Sequence, residues 1–95
     1  MDIIQPSKTK FTIYTKSRCP FCIKAKMLLN GYDPLIIDCD EYLENDLDGF
    51  LAYMEKIIGR PYRMFPMIFH NGNFLGGFTD TQQYMEKLEA FSGDF

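Results

Sequence analysis

Tryptophan is absent from this 95-residue chain, histidine occurs once and cysteine three times. An odd cysteine count without paired spacings does not build a disulfide-stapled scaffold, and a reducing compartment fits best. Basic residues are in the minority, 10 Lys and Arg against 13 Asp and Glu, for a net charge of −3. No basic field therefore favours nucleic acid. Apolar runs last only a few residues, so nothing in the sequence spans a membrane. Residues 1–10 lack the apolar centre of a signal peptide, and the expected location is cytoplasmic. What the chain does have is hydrophobic mass: 46% apolar residues, with nine Phe and six Tyr. That is enough for one modest core in one domain, residues 1–95.

The most informative stretch is Cys19-Pro20-Phe21-Cys22. An apolar run, Phe11-Thr12-Ile13-Tyr14-Thr15, precedes it and a helical pattern follows. Pro20 suits the first position of a helix. The free N–H groups and positive dipole end of that first turn stabilise a thiolate. Two residues three apart on the turn share a face and lie close enough for a disulfide. Cys19 is then the exposed, activated thiol and Cys22 its more buried partner. Taken alone, the pair is compatible with thiol redox chemistry or with metal binding.

Periodicity predicts the remaining elements. Residues 11–15 read as a strand. Residues 20–30 read as a helix, with Cys22, Ala25 and Leu29 on one face and a left-handed end at Asn30-Gly31. Leu35-Ile36-Ile37-Asp38 reads as a buried strand. Leu47, Phe50, Leu51, Met54, Ile57 and Ile58 recur at helical spacing, ending at Gly59, with an acidic lead-in over residues 41–48. Met67-Ile68-Phe69 and Phe74-Leu75 flank Asn71-Gly72, a strong hairpin signal. A last helix is predicted over residues 81–91, with Tyr84, Met85, Leu88 and Phe91 on one face. A capping box from Thr79 to Gln82 would start it. The tail, residues 92–95, reads as loose. The order β-α-β-α-β-β-α predicts a thioredoxin-like α/β fold: a four-stranded mixed sheet flanked by three helices on its two faces.

At this level of detail the sequence resembles a dithiol glutaredoxin, over residues 11–89. Lys16-Ser17-Arg18-Cys19-Pro20-Phe21-Cys22 resembles the family's K-x-x-C-P-Y-C. Ala25-Lys26, with Leu28-Leu29, continues its first helix. Met64-Phe65-Pro66 stands where the family has T-V-P. Asn71-Gly72 and Gly76-Gly77-Phe78-Thr79-Asp80 resemble N-G…G-G-C-[ST]-D.

The resemblance implies a glutathione-dependent thiol–disulfide oxidoreductase with glutathione as co-substrate and no metal. Cys19 would be the nucleophile, its pKa lowered by the helix start with help from Lys16 and Arg18. Cys22 would resolve protein disulfides. Lys16 would pair with the glycine carboxylate of glutathione, joined by Arg60 or Arg63 if these are more than surface charges. The Phe65 backbone, before a cis Pro66, would bond the cysteinyl backbone. Thr79 and Asp80 would take the γ-glutamyl end, and Phe21 would line the groove. Implied partners are glutathione and disulfide-bonded or glutathionylated proteins, with ribonucleotide reductase a candidate, met by a monomer.

The sequence departs from the family at Met64, at Phe78 (where an extra cysteine is common) and in a loop over residues 59–66 that is about two residues longer than the family's usual loop. Tyr62, Met64 and Phe65 give that loop an apolar surface for a partner protein. Cys39 and His70 are read as a bystander thiol and a solvated ring, and the acidic run over residues 38–48 as a solvated helix start. Two alternatives remain: an electron donor served by thioredoxin reductase, and an iron–sulfur or zinc module. Zinc needs four ligands, and only Cys39 and His70 could supplement the pair. Cluster-bearing family members usually have Gly or Ser where Pro20 stands.

Overall fold

The structure, a computed structural model, describes residues 2–93, without the side chains of residues 91–93. The predicted apolar contact of Phe91 and residues 94–95 of the predicted loose tail lie outside the described residues, while residues 92–93 of that tail are helical rather than loose. β1 (Phe11–Thr15) is followed by α1 (Pro20–Leu28), β2 (Leu35–Asp38), α2 (Asp40–Asn45) and α3 (Leu47–Ile58). The chain then forms β3 (Met67–His70), β4 (Asn73–Gly76) and α4 (Phe78–Gly93). The strands lie in the order β2-β1-β3-β4. β1 runs parallel to β2, with Ile13 opposite Ile36, and antiparallel to β3, with Ile13 opposite Ile68. β3 and β4 form the expected hairpin, turning through Asn71 (φ 53°) and Gly72 (φ 87°). Positive φ at both turn positions is what a two-residue hairpin demands.

Side chains alternate across the sheet and feed two cores. Tyr14, Met67 and Phe69 pack against Phe50 and Met54 of α3. Phe11, Ile13 and Ile68 pack against Ala25 and Leu29 on the α1 side and Met85 of α4. The central strand β1 is buried at every position, because helices cover both faces. The four-stranded thioredoxin-like sheet is thus as the sequence predicts.

Several local expectations are corrected. β2 is an edge strand in which only Ile37 is buried; Ile36 points outward. The acidic lead-in is a separate helix, giving four α-helices among the described residues rather than three. Asp46 divides α2 from α3. Its extended backbone (φ −157°) ends α2, and its carboxylate accepts the Gly49 N–H at 3.1 Å to cap α3. A Cβ on Gly49 would strike that carboxylate, so a glycine inside the helical pattern serves the cap. α1 ends at Leu28; the chain leaves through a 3₁₀ turn, Asn30–Tyr32, and the left-handed residue is Asp33, not Asn30 or Gly31. Gly59 does close α3 in the left-handed region (φ 97°).

α4 begins three residues early, at Phe78. The predicted Thr79–Gln82 box does not form; instead Asp80 Oδ2 reaches back to accept the Gly77 N–H at 3.2 Å, and the Thr81 hydroxyl donates to the Gly77 carbonyl at 2.8 Å. His70 is half-buried rather than a freely solvated ring. Its ring stacks on Phe11 with centroids 3.9 Å apart, Nδ1 lies 2.5 Å from the Tyr84 hydroxyl, and burial lowers its pKa.

Candidate active site

β1 ends at Thr15 in the centre of the sheet, and the next residues carry the chain over its carboxyl edge into α1. Arg18 takes a left-handed φ of 56°, and Cys19 then becomes the N-cap of α1. The Cys19 carbonyl accepts from Cys22 N–H at 3.0 Å and Ile23 N–H at 3.2 Å, while its Sγ accepts from the Cys22 N–H at 3.3 Å. Cys19 and Cys22 are paired as a disulfide, with Cα atoms 5.2 Å apart. Cys19 is itself buried in this disulfide form, not exposed as expected; at 8% exposure against 1% for Cys22 it is still the more accessible of the two. That sulfur also lies 3.8 Å from the Phe65 carbonyl, across the start of α1. The Phe65–Pro66 peptide is cis.

The loop before Cys19 is tied to α2. One Asp40 oxygen accepts the Ser17 N–H at 2.9 Å, and the other accepts the Ser17 hydroxyl. The Ser17 hydroxyl and N–H together hold the Asp40 carboxyl below its ordinary pKa, and the Lys16 charge adds to the effect. The Lys16 ammonium sits 5.8 Å from the Phe65 ring centroid. Behind Phe65 the stack continues to Phe50 and then Tyr42, with near-parallel rings.

From the Phe65–Pro66 peptide, next to Cys19, a groove runs toward the N-terminus of α4. Phe21, Phe65, Pro66, Thr79 and Asp80 all line it, so one surface gathers five of the predicted site residues. Phe21 and Phe78 face one another with centroids 6.0 Å apart. Lys16 is not in the lining but stands at the Phe65 end. Of the two loop arginines, Arg60 stacks over Tyr62 and Phe74, and Arg63 borders a neighbouring hollow.

Sequence reasoning missed two contributors. Tyr62 lines the groove; burial first, and then the negative charge of Asp80, raise its pKa. Asp40 ties down Ser17, on the approach to Cys19, from 23 residues away. Its pattern of acidic neighbours gives no hint of this, although Ser17 beside the CxxC is a hydroxyl in need of a partner. Cys39 is fully buried, its thiol pushed up to about 12 chiefly by desolvation, as suits a bystander. Among the described residues no three His, Cys, Asp or Glu side chains gather as a metal site.

A CxxC pair at a helix N-terminus, on the carboxyl edge of a thioredoxin-like sheet and facing a Phe-cisPro peptide, defines a thiol–disulfide oxidoreductase of the thioredoxin superfamily. The glutaredoxin family model matches residues 11–75. Glutaredoxin-C4 of Arabidopsis thaliana is 36% identical over 85 residues, 87% of this chain and 60% of the relative. Glutaredoxin 1 of Salmonella typhimurium is 30% identical over 83 residues, 84% of this chain and 95% of the relative. The chain therefore spans less than two thirds of the plant relative and nearly all of the bacterial one. The crystal structure of glutaredoxin 1 from Francisella tularensis superposes with a TM-score of 0.71 at 28% identity, covering 83% of this chain and 94% of that one. A buckwheat glutaredoxin–glutathione complex shares the fold at TM-score 0.71 and 22% identity, covering 90% of this chain and 76% of its own. The chain belongs to the glutaredoxin family.

Proposed function

We propose that the protein reduces glutathione mixed disulfides and protein disulfides with electrons from glutathione, through Cys19 and Cys22. The observation that carries this reading is the groove that runs from the Phe65–Pro66 peptide, whose Phe65 carbonyl lies 3.8 Å from the Cys19 sulfur, to Thr79 and Asp80. Lys16 stands near its Phe65 end and Asp80 lines the other, opposite charges that suit a ligand charged at both ends. The buckwheat protein, solved as a glutathione complex, supports the same ligand class.

In a glutathionylated target, the Cys19 thiolate attacks the glutathione sulfur. The old S–S bond breaks, the target sulfur leaves and takes a proton, and Cys19 carries glutathione. A second glutathione thiolate attacks that glutathione sulfur, releasing glutathione disulfide and restoring the Cys19 thiolate. In a protein disulfide, Cys19 attacks one sulfur, Cys22 then attacks Cys19, and the reduced protein departs. This leaves the Cys19–Cys22 pairing seen here, which two glutathiones reduce.

The free N–H groups of α1 stabilise the Cys19 thiolate, as attacking and as leaving group. Lys16 would receive the glycine carboxylate. The first N–H groups of α4 and the Thr79 hydroxyl would receive the γ-glutamyl carboxylate, with Asp80 on its amine. The Phe65 backbone would align the middle of the tripeptide, against Phe21. Such an enzyme works as a monomer in a reducing, cytoplasmic compartment on disulfide-bonded and glutathionylated proteins, ribonucleotide reductase among the candidates.

A coupled assay with a small glutathione mixed disulfide tests the reductant. NADPH oxidation should require glutathione and glutathione reductase. Equal turnover with thioredoxin reductase in their place would contradict the proposal.

A further inference from the structure

α1 carries apolar residues on two faces. Cys22, Ala25 and Leu29 form the buried stripe that meets the sheet. A second stripe faces outward: Ile23, Lys26, Met27 and Asn30 line one hollow on the far side of the helix. Counted from Cys19 these positions are i+4, i+7, i+8 and i+11, so the stripe starts beneath the reactive sulfur and runs down the helix from it. Ile23 is 57% exposed and Met27 73% exposed, although the buried face of the helix is already satisfied. Large apolar side chains grouped in a hollow beside a reaction site mark a surface that something covers.

Charge identifies what covers it. The chain is acidic overall, yet residues 3–32 hold Lys8, Lys10, Lys16, Arg18, Lys24 and Lys26 and no Asp or Glu. Lys26 is part of the hollow, Lys24 sits over the Phe21 ring at 5.1 Å, and Lys16 and Arg18 precede Cys19. The charge that frames the apolar stripe within its hollow is therefore that of Lys26, positive in a chain of net charge −3. Such a frame attracts anionic partners and repels cationic ones.

We infer that the Ile23–Lys26–Met27 stripe is the docking track for the target protein: an apolar segment carrying Asp or Glu close to the cysteine that reacts with Cys19. Reach sets the spacing. At a rise of about 1.5 Å per residue, Met27 lies roughly 12 Å along α1 from Cys19. An extended segment covers that distance in about four residues. The apolar and acidic positions of the target thus lie within about four residues of its reacting cysteine, on one side of it. This deepens the glutathione-dependent reading and rests on it for the identity of the reacting bond.

The test is binding of two short fluorescent peptides to the wild-type protein. Both carry Ser in place of the reacting cysteine; one has Leu and Glu on one side, the other Leu and Lys. The Glu peptide should bind about tenfold more tightly at low salt, and the advantage should shrink as salt rises. Lys26→Glu should remove the preference, and Met27→Ser should weaken binding of the Glu peptide several-fold. Equal binding of the two peptides, or binding unmoved by both substitutions, would overturn the inference. Turnover of a small glutathione mixed disulfide should stay at the wild-type level in both variants, whose thermal unfolding is measured alongside. Loss of that turnover in folded Lys26→Glu would also overturn it, since the stripe would then belong to the reaction site itself. Wild-type protein that discriminates the peptides but fails to turn over the small disulfide would refute the glutathione reading and leave the docking track standing.

Discussion

Asp40, at the start of α2, accepts both the N–H and the hydroxyl of Ser17, two residues before Cys19. This bidentate tie fixes the loop that aims the reactive thiol. Hydrogen bonds to the ionised form hold the Asp40 carboxyl below its ordinary pKa. A depressed carboxylate stabilises the fold above its unfolded-state pKa, and the contribution is lost as pH falls through the folded value. Asp40→Asn should therefore unfold at lower temperature than wild type at pH 7, and the gap should narrow below about pH 4. Thermal unfolding followed by circular dichroism across that range is the check. A gap independent of pH would show that the charge of Asp40 is irrelevant to the tie.

Gly76 occupies φ 126°, a region that only glycine enters easily, and a Cβ there would collide with the Asp80 carboxylate that caps Gly77. Gly76→Ala should cost about 1–3 kcal/mol in urea unfolding. It should also displace Asp80 from the γ-glutamyl end of the groove, raising KM for a glutathione mixed disulfide more than it lowers kcat. An unchanged KM would separate Asp80 from the ligand and leave it as a helix cap alone.

Cys39 is buried, and desolvation pushes its thiol up to about 12. Of the three cysteines, only Cys19 and Cys22 should react with a thiol reagent in the reduced native protein near pH 8. The third should react only after denaturation. Cys39→Ala should leave turnover intact while costing about 1–2 kcal/mol of stability. Rapid labelling of three thiols in the native state would contradict this placement.

Much of the architecture was legible because its signals are local. The alternation of Phe11 to Thr15, the Asn71-Gly72 turn and the helical recurrence from Leu47 to Ile58 each state their own conformation. The groove was legible through the resemblance to glutaredoxins, which assigned Phe65-Pro66 and Thr79-Asp80 to it. What escaped depended on partners far apart in sequence, or on choices between neighbouring caps. Asp46 splits an acidic run that has no apolar rhythm of its own. Asp80 outcompetes Thr79 as the capping group because its carboxylate reaches the Gly77 N–H. His70, beside a turn and polar, reads as solvated until Phe11 and Tyr84 are brought against it from β1 and α4.

The central claim, that Cys19 alone carries glutathione through each turnover while Cys22 serves only protein disulfides, is tested most directly by paired substitutions. Turnover of a small glutathione mixed disulfide, with glutathione and glutathione reductase, should be lost almost entirely in Cys19→Ser and substantially retained in Cys22→Ser. Retained turnover in Cys19→Ser, or its loss in Cys22→Ser, would contradict the account.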